Sequence, residues 1–416
     1  MQSASASGTQ FAKVCLVVKL QLTKDKTIDI NLPFGGGTKS ALDITGIELF
    51  APSETDCPAV RLVHRKKAWH VAAAGFVKAP NGGLPMCWED TPHQPVWEMP
   101  REFTSPHAAI AANSTMATFA QSTADAIVLD MMAGIAAQDG KAGAGDKTPS
   151  DGKRRFGIKR EQQAPQPQKP AAKAEPSGRK PTLPAEGTPV SENGRRFVVR
   201  PMAEDNFHLC ASLPEFQTLW LSRLMPEGKR PTASSIQVSE SALMASILLQ
   251  PEFIAANGNA LSIFVRQDAT YLAGYKNGEP ILWRRCPGVG GTLAMRDAVR
   301  TTLGLDEELI DSVLDESLID PRPALEPFVR PILSQLSLSL DYLASKHGLK
   351  FDHAFLMGVG AGTSHWSTYA EESLHLKLVS PNPFDGLALD KGVDPSNATR
   401  QLVALGAAIA GMEATI

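Results

Sequence analysis

The strongest pattern of apolar and polar positions lies between Asn259 and Gly291, in NALSIFVRQDATYLAGYKNGEPILWRRCPGVGG. Leu261, Ile263 and Val265 mark one alternating run, Thr270 to Tyr275 a second and Pro280 to Arg284 a third, with Asn277-Gly278 between the last two. Successive strand side chains point to opposite faces, so period two reads as strand, and Asn-Gly supplies the positive φ angles of a tight hairpin turn. Three strands are therefore predicted, then a helix over Thr292 to Leu303 after the Gly290-Gly291 pair. A second opening of the same kind starts at Ser40. SALDITGIELFAP and PAVRLVHRKKAWHVAAAGFVKAP read as three strands, with Arg65-Lys66-Lys67 joining the second to the third. Two three-strand openings are what a duplicated fold would give.

Between and after these openings the pattern predicts further elements. AAIAANSTMATFAQ, after Pro100, reads as a strand pair, and Asp125 to Ala137 carries Ile127, Val128, Met131, Met132 and Ile135 at helical spacing. RFVVRPM and FHLCASLP are strand-like, Glu215 to Leu224 a short helix and Thr232 to Val238 a strand. Ser239 to Leu249 is a helix with Ser239 as its N-cap. Pro323 to His347 is a long amphipathic helix. Leu325, Phe328, Val329, Ile332, Leu336, Leu340 and Leu343 form its apolar face, and Pro327 and Pro331 mark its first turns or a kink. Phe355 to Met357 reads as a buried strand entering GVGAG, and Gln401 to Met412 as a small-residue helix. Near the start, Thr27 to Leu32 alternates like a strand that Pro33 and Gly35-Gly36-Gly37 end.

Composition changes this picture in one place. From 138 to 193 Pro, Gly, Ala, Gln and Lys dominate, and such a stretch buries too little apolar surface to offset ordering entropy. A disordered, modestly basic loop is expected, spanning roughly 40 Å as a random coil. Its patch, Lys153-Arg154-Arg155 with Lys159-Arg160, is a solvated linker or a contact to acidic lipid or nucleic acid. Elsewhere the 416 residues are ordinary for a globular protein of two or three domains, with a formal charge of -3 that argues against dedication to nucleic acid. Five scattered cysteines without a Cys-x-x-Cys pair speak against disulfide scaffolding and a zinc site and fit a reducing cytoplasm. No apolar run reaches membrane-helix length, and MQSASASGTQ has no basic segment that would suggest a secretory signal.

Taken in order, these segments resemble the cytoplasmic actin-like proteins of type IV pilus assembly, the PilM family, related to FtsA and to the cytoplasmic domain of GspL. LDITGIELF resembles the strand that enters the family's first phosphate loop, and FHLCASLPEF the start of a small inserted subdomain's helix. WRRCPGVGG resembles an Arg-x-x-Pro-x-Gly-Gly corner, and LDYLASKHGL before FLMGVGAG the long helix running into the adenosine loop. The resemblance covers most of Ser40 to Ile416 and rests on shared order more than on any one motif. It implies an α/β, actin-like (ribonuclease H-like) two-lobed fold with a small inserted α+β subdomain and a long disordered loop. The expected division is an extension over 1–39, first-lobe strands over 40–104 and an inserted subdomain over 105–225 that contains the linker 138–193. The first lobe resumes over 226–254, the second lobe spans 255–380, and 381–416 return to the first lobe.

In actin-like ATPases two hairpin loops grip phosphate through backbone N–H groups, and an Asp on each positions Mg²⁺ and water. By resemblance Asp43 is the metal ligand of the first loop, with Thr45 and Gly46 beside it. Ile47 and Glu48 then stand where small hydroxyl residues and a Lys are expected, and a carboxylate repels phosphate. The second loop lacks its Asp: Ser262-Ile263-Phe264 replaces Asp-Ile-Gly, and Gln267-Asp268 is the alternative source of a carboxylate. Gly290 and Gly291 at a helix start, and Gly358, Gly360 and Gly362 in the adenosine loop, would let a nucleotide approach. Tight turns and close packing explain these glycines equally well.

The resemblance thus implies a scaffold on the cytoplasmic face of the inner membrane, reaching the membrane only through partners. ATP and Mg²⁺ are the cofactors of the fold, but the loops are degenerate and no residue is assigned a catalytic role. The implied partners are the N-terminal tail of a PilN-like membrane protein, an assembly ATPase motor and a second copy of the chain, with no specific nucleic acid. IDINLP (Ile28 to Pro33) resembles the tail motif itself, either as a strand and turn that spells those letters or as a self-docking peptide. The alternatives are an active ATPase or small-molecule kinase of this fold, and nucleic-acid binding through the basic loop.

Overall fold

The computed structural model describes residues 42–49, 56–65, 68–78, 99–112, 118–123, 190–192, 195–201, 207–214, 232–316, 319–359 and 363–415. The first sheet is built from β1 (Asp43–Leu49), β2 (Asp56–Arg65), β3 (Ala68–Lys78), β4 (His107–Ala112), β9 (Thr232–Val238) and β15 (Ala388–Leu389), in the order β15-β3-β2-β1-β4-β9. The second contains β10 (Ala260–Val265), β11 (Thr270–Lys276), β12 (Glu279–Arg285), β13 (His353–Met357) and β14 (Lys377–Val379), in the order β12-β11-β10-β13-β14. In each sheet a three-strand antiparallel meander opens the unit, and its first strand pairs in parallel with the fourth. A fifth strand then adds in parallel. This repeated 3-2-1-4-5 order is the actin-like, ribonuclease H-like plan of two lobes.

The second-lobe hairpins form where period two predicts them. Asn277 and Gly278 take positive φ of 52° and 81° between β11 and β12, the geometry of a tight primed turn. Seven described α-helices complete the lobes: α1 (Ser239–Ser246), α2 (Pro251–Ala255), α3 (Thr292–Leu303), α4 (Ile310–Glu316), α5 (Arg322–His347), α6 (Thr363–Leu374) and α7 (Leu402–Thr415). Ser239 is not an N-cap: Val238 holds that place, and the Ser239 hydroxyl donates to Ala112 O at 3.0 Å. Pro327 and Pro331 lie inside α5, whose Leu325, Phe328, Val329, Ile332, Leu336 and Leu343 are buried. α7 lies on the face of β1 and against α1, and only small residues permit that approach. A Cβ on Gly406 would lie 1.8 Å from Ala242 O.

A third sheet is inserted between β4 and β9. It holds β5 (Thr118–Thr123), β6 (Val190–Glu192), β7 (Arg195–Pro201) and β8 (Phe207–Pro214) in the order β5-β8-β7-β6. Two boundaries differ from the sequence reading. β4 and β5 are not a pair: β4 joins β1 and β9 in the first lobe, whereas β5 joins β8, so the insertion begins after β4 and not at residue 105. The stretch 138–193 is also not structureless to its end. β6 pairs with β7 across Asn193-Gly194, a hairpin signal that the surrounding low-complexity composition hid. The helices expected at 125–137 and 215–224, the strand at 27–32 and most of the linker fall outside the described residues. The inserted sheet reaches the second lobe, since Trp283 N–H on edge strand β12 donates to Gln121 Oε1 of β5 at 2.9 Å. No helix among the described residues is long and apolar enough to cross a membrane.

Candidate functional site

β1 and β4 run parallel, as do β10 and β13, so the carboxyl ends of the central strands can face one cleft, the usual ligand position of an open α/β sheet. A cavity of about 680 Å³ opens there between the lobes. Glu48 at the end of β1 and Leu402 at the start of α7 line it from the first lobe. Arg266 and Gln267 after β10, Thr292 at the start of α3 and Gly358 after β13 line it from the second.

The floor of the cleft is a buried cluster of charges from both lobes. Arg266 Nη2 lies 3.3 Å from Glu48 Oε1, and the two side chains are only 4% and 3% exposed. Arg266 Nε lies 3.6 Å from Asp268, whose side chain is 39% exposed. Glu240, in the first turn of α1, is buried, and its Oε1 accepts the Tyr271 hydroxyl at 3.1 Å. Tyr271 in turn stacks on Trp283, with ring centroids 4.9 Å apart. Burial works to lower the pKa of Arg266, but Glu48 first, then Glu240 and Asp268, outweigh it and hold the guanidinium above its ordinary range. Burial pushes the Glu240 carboxyl up, against the pull of Arg266, and pushes the Tyr271 phenol up as well. Arg266 is therefore a cation of the second lobe held by carboxylates of the first.

The residues assigned by resemblance divide between this cleft and other places. Asp43 begins β1, whereas Glu48 sits near its other end, about 16 Å away at strand rise. The Asp43 carboxylate takes a two-pronged contact from Arg61, Nε to Oδ1 at 2.8 Å and Nη2 to Oδ2 at 2.6 Å, and does not line the cavity. Thr45 is fully buried, bonded to Phe103 O at 2.9 Å and to the Ser105 hydroxyl at 2.7 Å. Gly46 is where α7 crosses β1: a Cβ there would lie 2.0 Å from Ala404 O. These three residues thus make contacts within the first lobe, on the part of β1 that runs away from the cleft.

The glycines are closer to it. Gly291 caps α3, and a Cβ there would lie 1.9 Å from Arg266 O. This close approach lets Thr292 N–H donate to Arg266 O at 2.7 Å and Leu293 N–H to Gln267 O at 3.1 Å. The first donors of α3 are thereby used by the β10–β11 turn. The Gly290 carbonyl accepts from the Thr270 hydroxyl at 2.9 Å. Gly358 has φ 89° and lies against Val265 O, where a Cβ would stand at 2.2 Å. Gly360 and Gly362 lie outside the described residues. Arg266 and Glu240 were not singled out by sequence. The available signal for Arg266 was a charged residue directly after the mostly apolar run ALSIFV.

Mg-ATP fits this floor poorly. A phosphate placed against β1 meets the Glu48 carboxylate, and the Thr292 and Leu293 N–H groups at the start of α3 are engaged.

No protein-family model matches the sequence, and no curated protein matches it. Solved structures with similar architecture exist. A PilM-PilN type IV pilus biogenesis complex matches 89% of this chain and 98% of its own at 14% identity, with a TM-score of 0.47. The cytoplasmic domain of EpsL, an inner-membrane component of the Vibrio cholerae type II secretion system, matches 88% and 94% at 9% identity with a TM-score of 0.29. A Bacteroides thetaiotaomicron protein with actin-like ATPase fold and unknown function matches 83% and 94% at 8% identity with a TM-score of 0.34. The fold assignment itself rests on the strand order of the two sheets.

Proposed function

We propose that this chain is a cytoplasmic scaffold of a type IV pilus or type II secretion-like assembly platform, peripheral to the inner membrane, whose lobes are held together without nucleotide. The observation that carries the reading is the Glu48–Arg266 pair across the cleft floor, with Glu240 on its other flank. In a nucleotide-driven switch the lobes close on phosphate and metal. Here a second-lobe cation meets the first-lobe Glu48 carboxylate directly, which supplies closure but no chemistry. The order of the sequence segments supports the choice of platform and of a PilN-like tail as partner, docked as an extended peptide beside the inserted subdomain. A motor ATPase and a second copy of the chain are further partners in this reading. The competing reading, nucleotide binding without turnover, draws on the cavity, whose 680 Å³ is within the range of small-ligand sites.

The test is binding of a fluorescent peptide from the cytoplasmic tail of the PilN-type protein of the same cells. Saturable anisotropy that Mg-ATP leaves unchanged is expected. Absence of binding, or binding only with nucleotide, would contradict the proposal.

A further inference from the structure

Arg266 does not use all of its donors. Its Nη1 is buried and makes no hydrogen bond, although the residue lines the cavity. Glu240 Oε2 is likewise buried without a hydrogen bond. A charged donor left in this state inside a cleft is a strong site for an oxyanion, since hydrogen bonds to ionised groups are the strong ones. The nearby wall is polar, with Gln267, Thr292, Asn397 and Thr399. Arg400, from the same wall, adds a second guanidinium beside the Phe76 ring, 5.8 Å from its centroid. Arg296 adds none, because Glu307 and Asp311 hold it.

Glu48 is the carboxylate closest to Arg266 at the cleft floor. The residues two and four positions before it, Gly46 and Ile44, face α7: a Cβ on Gly46 meets Ala404 and Ala408, and the Ile44 side chain approaches Gly411. The next step of two along β1 brings Glu48 to the beginning of α7, where Leu402 and Val403 also line the cavity. The strand and helix thus deliver one carboxylate, 3% exposed, to the Arg266 guanidinium.

We propose that Glu48 is the specificity-determining residue of the cleft: its carboxylate is a built-in occupant of an oxyanion site formed by Arg266, and it keeps phosphate-bearing ligands out. The proposal rests on the reading of the cleft as closed to nucleotide and names the group that closes it. Neutralising Glu48 leaves Arg266 with Asp268, which is partly screened by solvent, and with Glu240, which burial holds toward its neutral form. Arg266 is then left at the floor without its closest carboxylate, while Glu307, Asp311 and Asp315 stay on the wall.

The probe is inorganic pyrophosphate without metal, titrated by calorimetry and thermal shift at low ionic strength into the wild type, Glu48→Gln, and Glu48→Gln with Arg266→Met. Wild type is expected to show no binding up to millimolar pyrophosphate. Glu48→Gln is expected to bind at least 10-fold more tightly than that limit and to melt higher with pyrophosphate, and the double variant to lose both effects. Equal behaviour of the wild type and Glu48→Gln overturns the proposal, as does binding that survives loss of Arg266. Should Glu48→Gln fail to fold alone, refolding on addition of pyrophosphate supports the proposal, because a ligand of the folded state must stabilise it. Failure of pyrophosphate to restore folding counts against it. Mg-ATP binding to the wild type would instead remove the underlying reading of a closed cleft, so the two failures are distinguishable.

Discussion

Single residues carry most of what distinguishes this molecule. Asp43 pairs with Arg61 at the far end of β1 from the cleft, so Asp43→Asn should cost about 1 kcal/mol, as expected for a partly buried bidentate pair, and leave ligand titrations unchanged. Urea unfolding beside a pyrophosphate or Mg-ATP titration separates that outcome from a metal-binding role. Gly46→Ala is far more severe, because a backbone carbonyl stands 2.0 Å from the added carbon and α7 must move. A loss at the upper end of the usual 1–3 kcal/mol for overpacking, about 3 kcal/mol, is expected in the urea midpoint. Glu240 gives a pH signature. Burial raises its folded pKa above the ordinary 4.5, so the folded state binds the proton more tightly than the unfolded chain. The associated stability is fully present below the unfolded value and is lost as pH rises through the raised folded value. Glu240→Gln keeps the acceptor for the Tyr271 hydroxyl and removes the titration. The variant should be more stable than wild type at neutral pH and show a flatter slope above pH 4.5, and an unchanged slope would contradict this account. Cys286 makes a smaller point: burial pushes its thiol up to about 11, so it should react with thiol reagents far more slowly at pH 8 than after unfolding.

At the scale of elements, local pattern sufficed wherever local physics decides. The β10–β12 meander, α3 and the long α5 follow from period two around Asn277-Gly278, from Gly291 before a helical run, and from an apolar stripe at three and four. Strand partnership did not follow, because it is a long-range property. β4 and β5 are neighbours in sequence, yet their ladders lie in different sheets. The site was legible only in part for the same reason. Glu48 stood out as a carboxylate where the resemblance places small hydroxyl residues and a Lys, but its partner Arg266 lies 218 residues away and nothing local announces the pair. Asp43 was read from a Leu-Asp-Ile strand that matches the family motif by letter, and it lies at the opposite end of β1 from Glu48. At this scale α7 is the element to probe. Its Gly406 and Gly411 allow contact with α1 and with β1 and β4, so Gly406→Leu should abolish cooperative unfolding of the first lobe, read as loss of slow hydrogen exchange in β1 and β4.

The whole molecule is two copies of one sheet plan joined across a cleft, with an inserted sheet resting on the second lobe through Gln121 and Trp283. Trp283 stacks on Tyr271, Tyr271 bonds Glu240, and Glu240 flanks Arg266, so the inserted sheet, both lobes and the cleft floor share one packed cluster. Such a body suits a platform component that presents surfaces to partners in fixed relation more than one that opens and closes on a ligand. That distinction is the central claim, and titration of Mg-ATP and Mg-ADP into the purified protein by calorimetry, with melting followed in parallel, tests it most directly. No heat and no shift in melting temperature at millimolar nucleotide are predicted. Micromolar binding with a raised melting temperature, worth about 2.7 kcal/mol at a hundredfold excess over Kd, would contradict it.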